Sequence, residues 1–85
     1  MYNVYVIKSL KDKRFYIGQT NDTEERLVRH NKGLVESTKN RRPFILVFQE
    51  NFESRKEAIN RESYLKSLKG GNEFKKILIN HCGIV

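Results

Sequence analysis

The chain has 85 residues, enough for one small domain and too few for two, so any function has to fit a single modest core. With 17 Lys and Arg against 10 Asp and Glu, its net charge is +7. That balance concentrates polyanions around a small domain and makes nucleic acid the leading class of partner, against the plainer reading that it only keeps the protein in solution. Cys82 is the only cysteine, which excludes an intramolecular disulfide and fits a reducing cytoplasm. The longest apolar run, Phe44 to Phe48, is far short of the about 20 residues that cross a bilayer, and the N-terminus lacks a basic segment followed by an apolar one. A soluble, unexported, cytoplasmic protein with no membrane partner is expected.

Tyr2 to Ile7 alternates β-branched and aromatic residues and reads as a strand, with Arg14 to Thr20 as its hairpin partner. Closing the hairpin with Ser9 to Asp12, the simplest four-residue loop, sets Lys8 opposite Lys13 and Tyr5 opposite Tyr16. Both phenols then share one face, and Gly18 faces Asn3 beside them, where a strand glycine leaves room for a ligand or backbone to approach. Asp22 is placed to cap a helix from Thr23 to about Lys32, with Glu25 completing a capping box and Gly33 supplying a left-handed end. Arg26 and His30 are four apart on it and share a face, while Leu27 and Val28 are expected to supply its core contact.

Ser37 to Arg42 is a polar, basic connection in which Lys39, Arg41 and Arg42 are either solvated or in contact with phosphates. Phe44 to Glu50 reads as a third strand, central or at an edge, whose continuous apolar run predicts burial. Ser54 and Glu57 form a second capping box, opening a helix that runs to about Lys69 and stops at Gly70 and Gly71. On it Ala58, Leu65 and Leu68 form the inward stripe, and Glu62 falls in the middle of that stripe. A carboxylate there needs a cationic partner, either a neighbouring Arg or Lys or a bound cation. Asn72 is placed to cap a last helix through Asn80, with Phe74, Ile77 and Leu78 docking on the sheet. This leaves one domain over 1–80 and a tail over 81–85, with Cys82 as an inert thiol in it.

Tyr5, a ten-residue gap, Tyr16-Ile17-Gly18, then Arg26, His30 and a distant glutamate together resemble the GIY-YIG nuclease superfamily. The second tripeptide is intact, whereas the first is Asn3-Val4-Tyr5. The resemblance covers nearly the whole chain and is closest to small stand-alone bacterial members related to the N-terminal nuclease domain of the DNA-repair excinuclease. It implies an α+β domain, a three-stranded antiparallel sheet flanked by helices, which agrees with the order β-β-α-β-α-α read above. It also implies a metal-dependent endonuclease acting on DNA in repair or recombination.

By this resemblance Glu62 holds one divalent cation, Mg2+ or Mn2+, Arg26 clamps the phosphate, and Tyr5 activates water. His30 would accept the Tyr5 proton, since a free phenol has a pKa of about 10, and Tyr16 would orient water or phosphate. Gly18 and Gln19 would lie against the nucleic acid, Gln19 standing where the excinuclease domain has a lysine, and Asn72 is matched to a downstream family asparagine. Some homing endonucleases of the superfamily attach separate DNA-binding domains, whereas here a monomer is expected, for which a protein partner could supply specificity. The alternative function is a nucleic acid binding module that keeps the fold with weak or no catalysis, on DNA or RNA.

Overall fold

In a computed structural model, which describes residues 1–82 and the side chains through residue 80, the elements follow the expected order. They are β1 (Tyr2–Ser9), β2 (Phe15–Thr20), α1 (Thr23–Asn31), β3 (Phe44–Phe52), α2 (Arg55–Ser67) and α3 (Asn72–Cys82), with a 3-10 turn at Lys39–Arg41. The strands form one antiparallel sheet in the order β2-β1-β3, giving an α+β domain. β1 is the central strand and is covered on both faces, so its residues are buried without a break from Asn3 to Ile7. Val4 and Val6 face a core with Leu65 of α2 and Phe74 and Leu78 of α3, while Tyr5 and Ile7 face Phe44 and Leu27 of α1.

The helix caps act where the sequence places them, without the Glu25 arm of the first capping box, since the Asp22 N–H donates to the Thr20 hydroxyl at 3.1 Å. The Asp22 carboxylate accepts from the Glu25 N–H at 3.1 Å, and the Ser54 hydroxyl accepts from the Glu57 N–H at 3.2 Å. Gly33 takes φ +79°, with its N–H donating to His30 O and the next N–H to Arg29 O, a complete Schellman ending.

The hairpin register differs from the expected one. Tyr5 pairs with Gly18, Ile7 with Tyr16, Asn3 with Thr20 and Lys8 with Phe15, so Tyr16 is not directly opposite Tyr5 and Gly18 does not face Asn3. The turn comprises Leu10 to Lys13, because the Ser9 hydroxyl accepts from the Lys11 and Asp12 N–H groups and Lys13 takes the left-handed conformation at φ 64°. The register slides by two residues, one full side-chain period, so both phenols remain on one face. Their ring centroids are 6.3 Å apart, as diagonal neighbours.

Four further expectations are corrected. Val28 is 49% exposed, and α1 makes its core contact through Leu27 and His30 instead. β3 is an edge strand with a bulge at Val47, so Phe44, Val47 and Phe48 are buried while Ile45 and Leu46 face outward. α2 ends at Ser67 with Lys69 left-handed at φ 51°, ahead of the glycines. Asn72 is the first residue of α3 rather than its cap, with the Lys75 N–H donating to Gly71 O. The docking of Phe74, Ile77 and Leu78 is as expected. α3 continues through His81 and Cys82, where a tail is expected from the sequence. The Cys82 thiol and the rest of that tail, 83–85, lie outside the described residues.

Candidate functional site

The site lies where the Tyr5 side chain crosses β2 at Gly18. A Cβ on Gly18 would stand 2.5 Å from the Tyr5 hydroxyl oxygen and 2.7 Å from Cζ, so only glycine lets the phenol lie over the strand. Tyr5 itself is 2% exposed and cannot swing away cheaply. Gly18→Ala is therefore expected to cost about 1–3 kcal/mol by overpacking. That is a drop in melting temperature of at least about 4 °C for a domain of this size. An unchanged melting curve would show that the phenol is not held over Gly18.

From α1, His30 comes down on the same phenol. Its Nε2 is 2.9 Å from the Tyr5 hydroxyl, and its Nδ1 is 2.8 Å from the Thr38 hydroxyl. Thr38 in turn donates to the Val35 carbonyl at 3.4 Å. A hydroxyl that donates to a carbonyl has only lone pairs left for the imidazole, so the proton sits on Nδ1, Nε2 carries the lone pair, and Tyr5 donates to it. Thr38 and His30 are both wholly buried. Asn31 anchors the helix beside them, accepting from the Phe44 N–H at 2.7 Å and donating to the Phe44 carbonyl at 3.1 Å. Tyr16 and Phe44 pack against the imidazole with ring centroids at 5.0 and 5.8 Å.

The electrostatics match this neutral, hydrogen-bonded pair. Burial first and the Arg26 guanidinium second push the His30 pKa down from 6.5 to about 4, so the ring is neutral near pH 7. Burial pushes the Tyr5 phenol well above its ordinary value, Tyr16 and Glu62 push the same way, and Arg26 opposes them. Arg26 thus acts on both members of the pair, as expected of two residues on one face of α1.

Glu62 approaches from α2. Its Oε1 accepts from the Gln19 amide at 3.2 Å, and its Oε2 lies 3.0 Å from the Lys66 ammonium. Its side chain is 20% exposed, so it sits at the margin of the inward stripe, open to solvent. Among the described residues no three His, Cys, Asp or Glu side chains gather to cage a metal. A single accessible carboxylate fits a cation that keeps most of its waters and takes its remaining ligands from phosphate, as Mg2+ does.

The fold brings together Tyr5, Tyr16, Gly18, Gln19, Arg26, His30 and Glu62. The remaining candidates lie elsewhere. Lys39 and Arg42 border a separate hollow with Lys11, Asn31 and Asn40, and Lys39 is paired with Glu36 at 3.2 Å. Arg41 is tied to Asp12 at 2.8 Å and lies over Phe44, holding Asp12 down at a pKa of about 2. Asn72 is exposed at the start of α3. Sequence reasoning misses Thr38, since one threonine in a polar connection carries no local signal that it meets a histidine eight residues earlier. It misses Asn31 for the same reason.

Residues 1–76 match the family model described as the GIY-YIG catalytic domain. The chain is 41% identical over 75 residues to a UPF0213 protein of Staphylococcus haemolyticus, covering 87% of this chain and 90% of that one. It is 44% identical over 69 residues to a UPF0213 protein of Clostridium perfringens, covering 80% of this chain and 73% of the other. The solution structure of a UPF0213 protein from Bacillus halodurans superposes with a TM-score of 0.55 at 33% identity, covering 94% of this chain and 84% of that one. The resemblance to the excinuclease domain is consistent with these matches. Among the described residues no helix is long and apolar enough to cross a membrane. The matched domain implies a nuclease-like function and nucleic acid binding, in a family whose nucleases typically use a divalent metal. The chain belongs to the GIY-YIG family, and its relatives are small bacterial UPF0213 proteins.

Proposed function

We propose that the protein is a metal-dependent endonuclease that hydrolyses phosphodiester bonds in DNA, with the excinuclease relationship pointing to repair or recombination as its setting. The observation that carries this reading is the Tyr5–His30 hydrogen bond under the Arg26 charge, with Glu62 near enough to act on the same phenol. In the reaction a water oxygen attacks phosphorus. Its proton passes to the Tyr5 oxygen as the Tyr5 proton moves to His30 Nε2, and the bond to the leaving oxygen breaks, that oxygen departing with the electron pair and taking a proton from solvent. Nδ1–H stays on Thr38 throughout, so the ring can take the proton without turning. Arg26 offers a planar fork of donors to the phosphate, and Tyr16, edge to face against His30, faces the water or phosphate. Glu62 would hold one Mg2+ or Mn2+, which when bound offsets charge on the phosphate and leaving oxygen.

The raised Tyr5 and lowered His30 pKa values also favour a second reading, a binding module, because in the free protein the phenol holds its proton and the imidazole is a weak base to receive it. Incubating the protein with supercoiled plasmid, linear duplex, single-stranded and branched DNA separates the two. Nicking with Mg2+ or Mn2+ that stops in chelator, and that Tyr5→Phe reduces by about 100-fold or more, is the expected result. Failure of the parent to cleave any of the four, while it binds them, would leave the binding module.

A further inference from the structure

Along β2, on the face turned toward α2 and α3, runs a groove of about 620 Å³. Phe15, Leu65 and Phe74 contribute its apolar floor, and Lys13, Arg14, Lys66, Lys69 and Lys75 its rim. None of the described residues that line it is acidic. Apart from Lys66, these cations make no ion pair among the described residues. We propose that this groove holds the sugar–phosphate backbone of the nucleic acid on one side of the phosphate that Tyr5 and Glu62 face. The placement rests on the nuclease reading above and names the track its substrate would follow.

Three observations lead there. The first is charge: five cations around one concavity match a polyanion and nothing else in ordinary supply. The second is backbone conformation. Among the described residues Lys13 and Lys69 are the non-glycine residues with positive φ, at 64° and 51°, and both line this groove. Glycine or asparagine would occupy such positions with less strain, yet the turn that closes the hairpin and the turn that ends α2 each place a lysine there, and both lysines converge on one groove. The third is continuity. Tyr16 borders the groove along β2 while its ring meets His30 edge to face beside Tyr5, and Lys66 lines the groove while its ammonium is 3.0 Å from Glu62. That continuity favours a strand whose phosphates pass from the groove into the site over an acidic polypeptide, which would have no use for Tyr5 and Glu62.

The test is the double variant Lys13→Gly with Lys69→Gly, compared with Arg55→Gln with Lys56→Gln, which removes the same charge from exposed positions at the opposite end of α2. Binding to fluorescein-labelled single-stranded and duplex DNA is followed by anisotropy in chelator over a salt series. The groove variant is expected to lose about tenfold in affinity at low salt and to show a log–log salt slope shallower by about two. Its melting temperature should stay within a few degrees of the parent, because glycine accepts both conformations. The control pair should lose no more than about threefold. Unchanged affinity and slope in the groove variant, or an equal loss in the control, would overturn the assignment. So would displacement of DNA by polyglutamate at equal charge concentration, which marks an acidic-polypeptide site. A parent that binds through the groove yet cleaves nothing counts against hydrolysis alone. A cleaving parent whose groove variant keeps its KM counts against the groove alone.

Discussion

Glu62→Gln is expected to lower metal-dependent cleavage by at least about 100-fold while leaving the fold and the DNA affinity in chelator close to those of the parent. The substitution keeps the size of the side chain and its ability to accept from Gln19, and removes only the charge a cation would need. The alternative drawn from the sequence, a structural ion pair on the inward stripe, would make the same change cost roughly 3–5 kcal/mol if the pair were buried. The structure makes that cost small. Lys66 is 58% exposed and Glu62 20% exposed, at i and i+4 spacing on one helix, which is the geometry of a surface pair worth about 0.5 kcal/mol or less. Melting in chelator should therefore fall by no more than about 4 °C. Calorimetry with Mn2+ should show the parent gaining stability with added metal and the variant gaining none. Full cleavage by the variant would remove Glu62 from the chemistry, and a drop above about 12 °C in chelator would make it structural.

The second large effect is on stability against pH. His30 is wholly buried as a neutral ring, with its pKa lowered from 6.5 to about 4. Between those values the unfolded chain takes up a proton that the folded one refuses. Stability is therefore fully present above about pH 6.5, falls as the pH drops, and is lost by about pH 4. The gap corresponds to about 3 kcal/mol, or roughly 12–25 °C in melting temperature for a domain of this length. Asp12, with its pKa lowered from 3.8 to about 2 by the Arg41 hydrogen bond, acts in the same direction but only at lower pH. Melting curves at pH 7, 6, 5 and 4.5 should show the parent falling steeply and His30→Gln falling much less. Parallel curves for the two proteins would mean that His30 is protonated in the folded state, and the Tyr5-to-His30 proton path would fall with that result.

Features that depend on residues a few positions apart are legible in the sequence. Asp22 with Glu25, Ser54 with Glu57 and Gly33 each act on backbone groups within a turn of themselves, so they mark helix ends whatever surrounds them. Element order and the α+β class follow from those marks and from the apolar pattern between them. The grouping of Tyr5, Tyr16, Arg26 and His30 is legible too, because side-chain direction has a period of two in a strand and side chains four apart on a helix share a face. A register error of two residues therefore moves no phenol to the wrong face.

Features that depend on distant partners are set only in the folded chain. Which residue of the hairpin turn goes left-handed is settled with help from Ser9, whose hydroxyl reaches Arg41 at 2.6 Å as well as the turn. That choice sets the register. Val28 turns outward because buried His30, tied to Tyr5 and Thr38, takes the inward place on α1. Ile45 and Leu46 are exposed because β3 is an edge strand bulged at Val47. Thr38 and the left-handed Lys13 and Lys69 are invisible in the sequence because lysine has no preference for that conformation and threonine none for a distant histidine. The His30 ring that Thr38 meets and the groove that both lysines line exist only once the chain is folded.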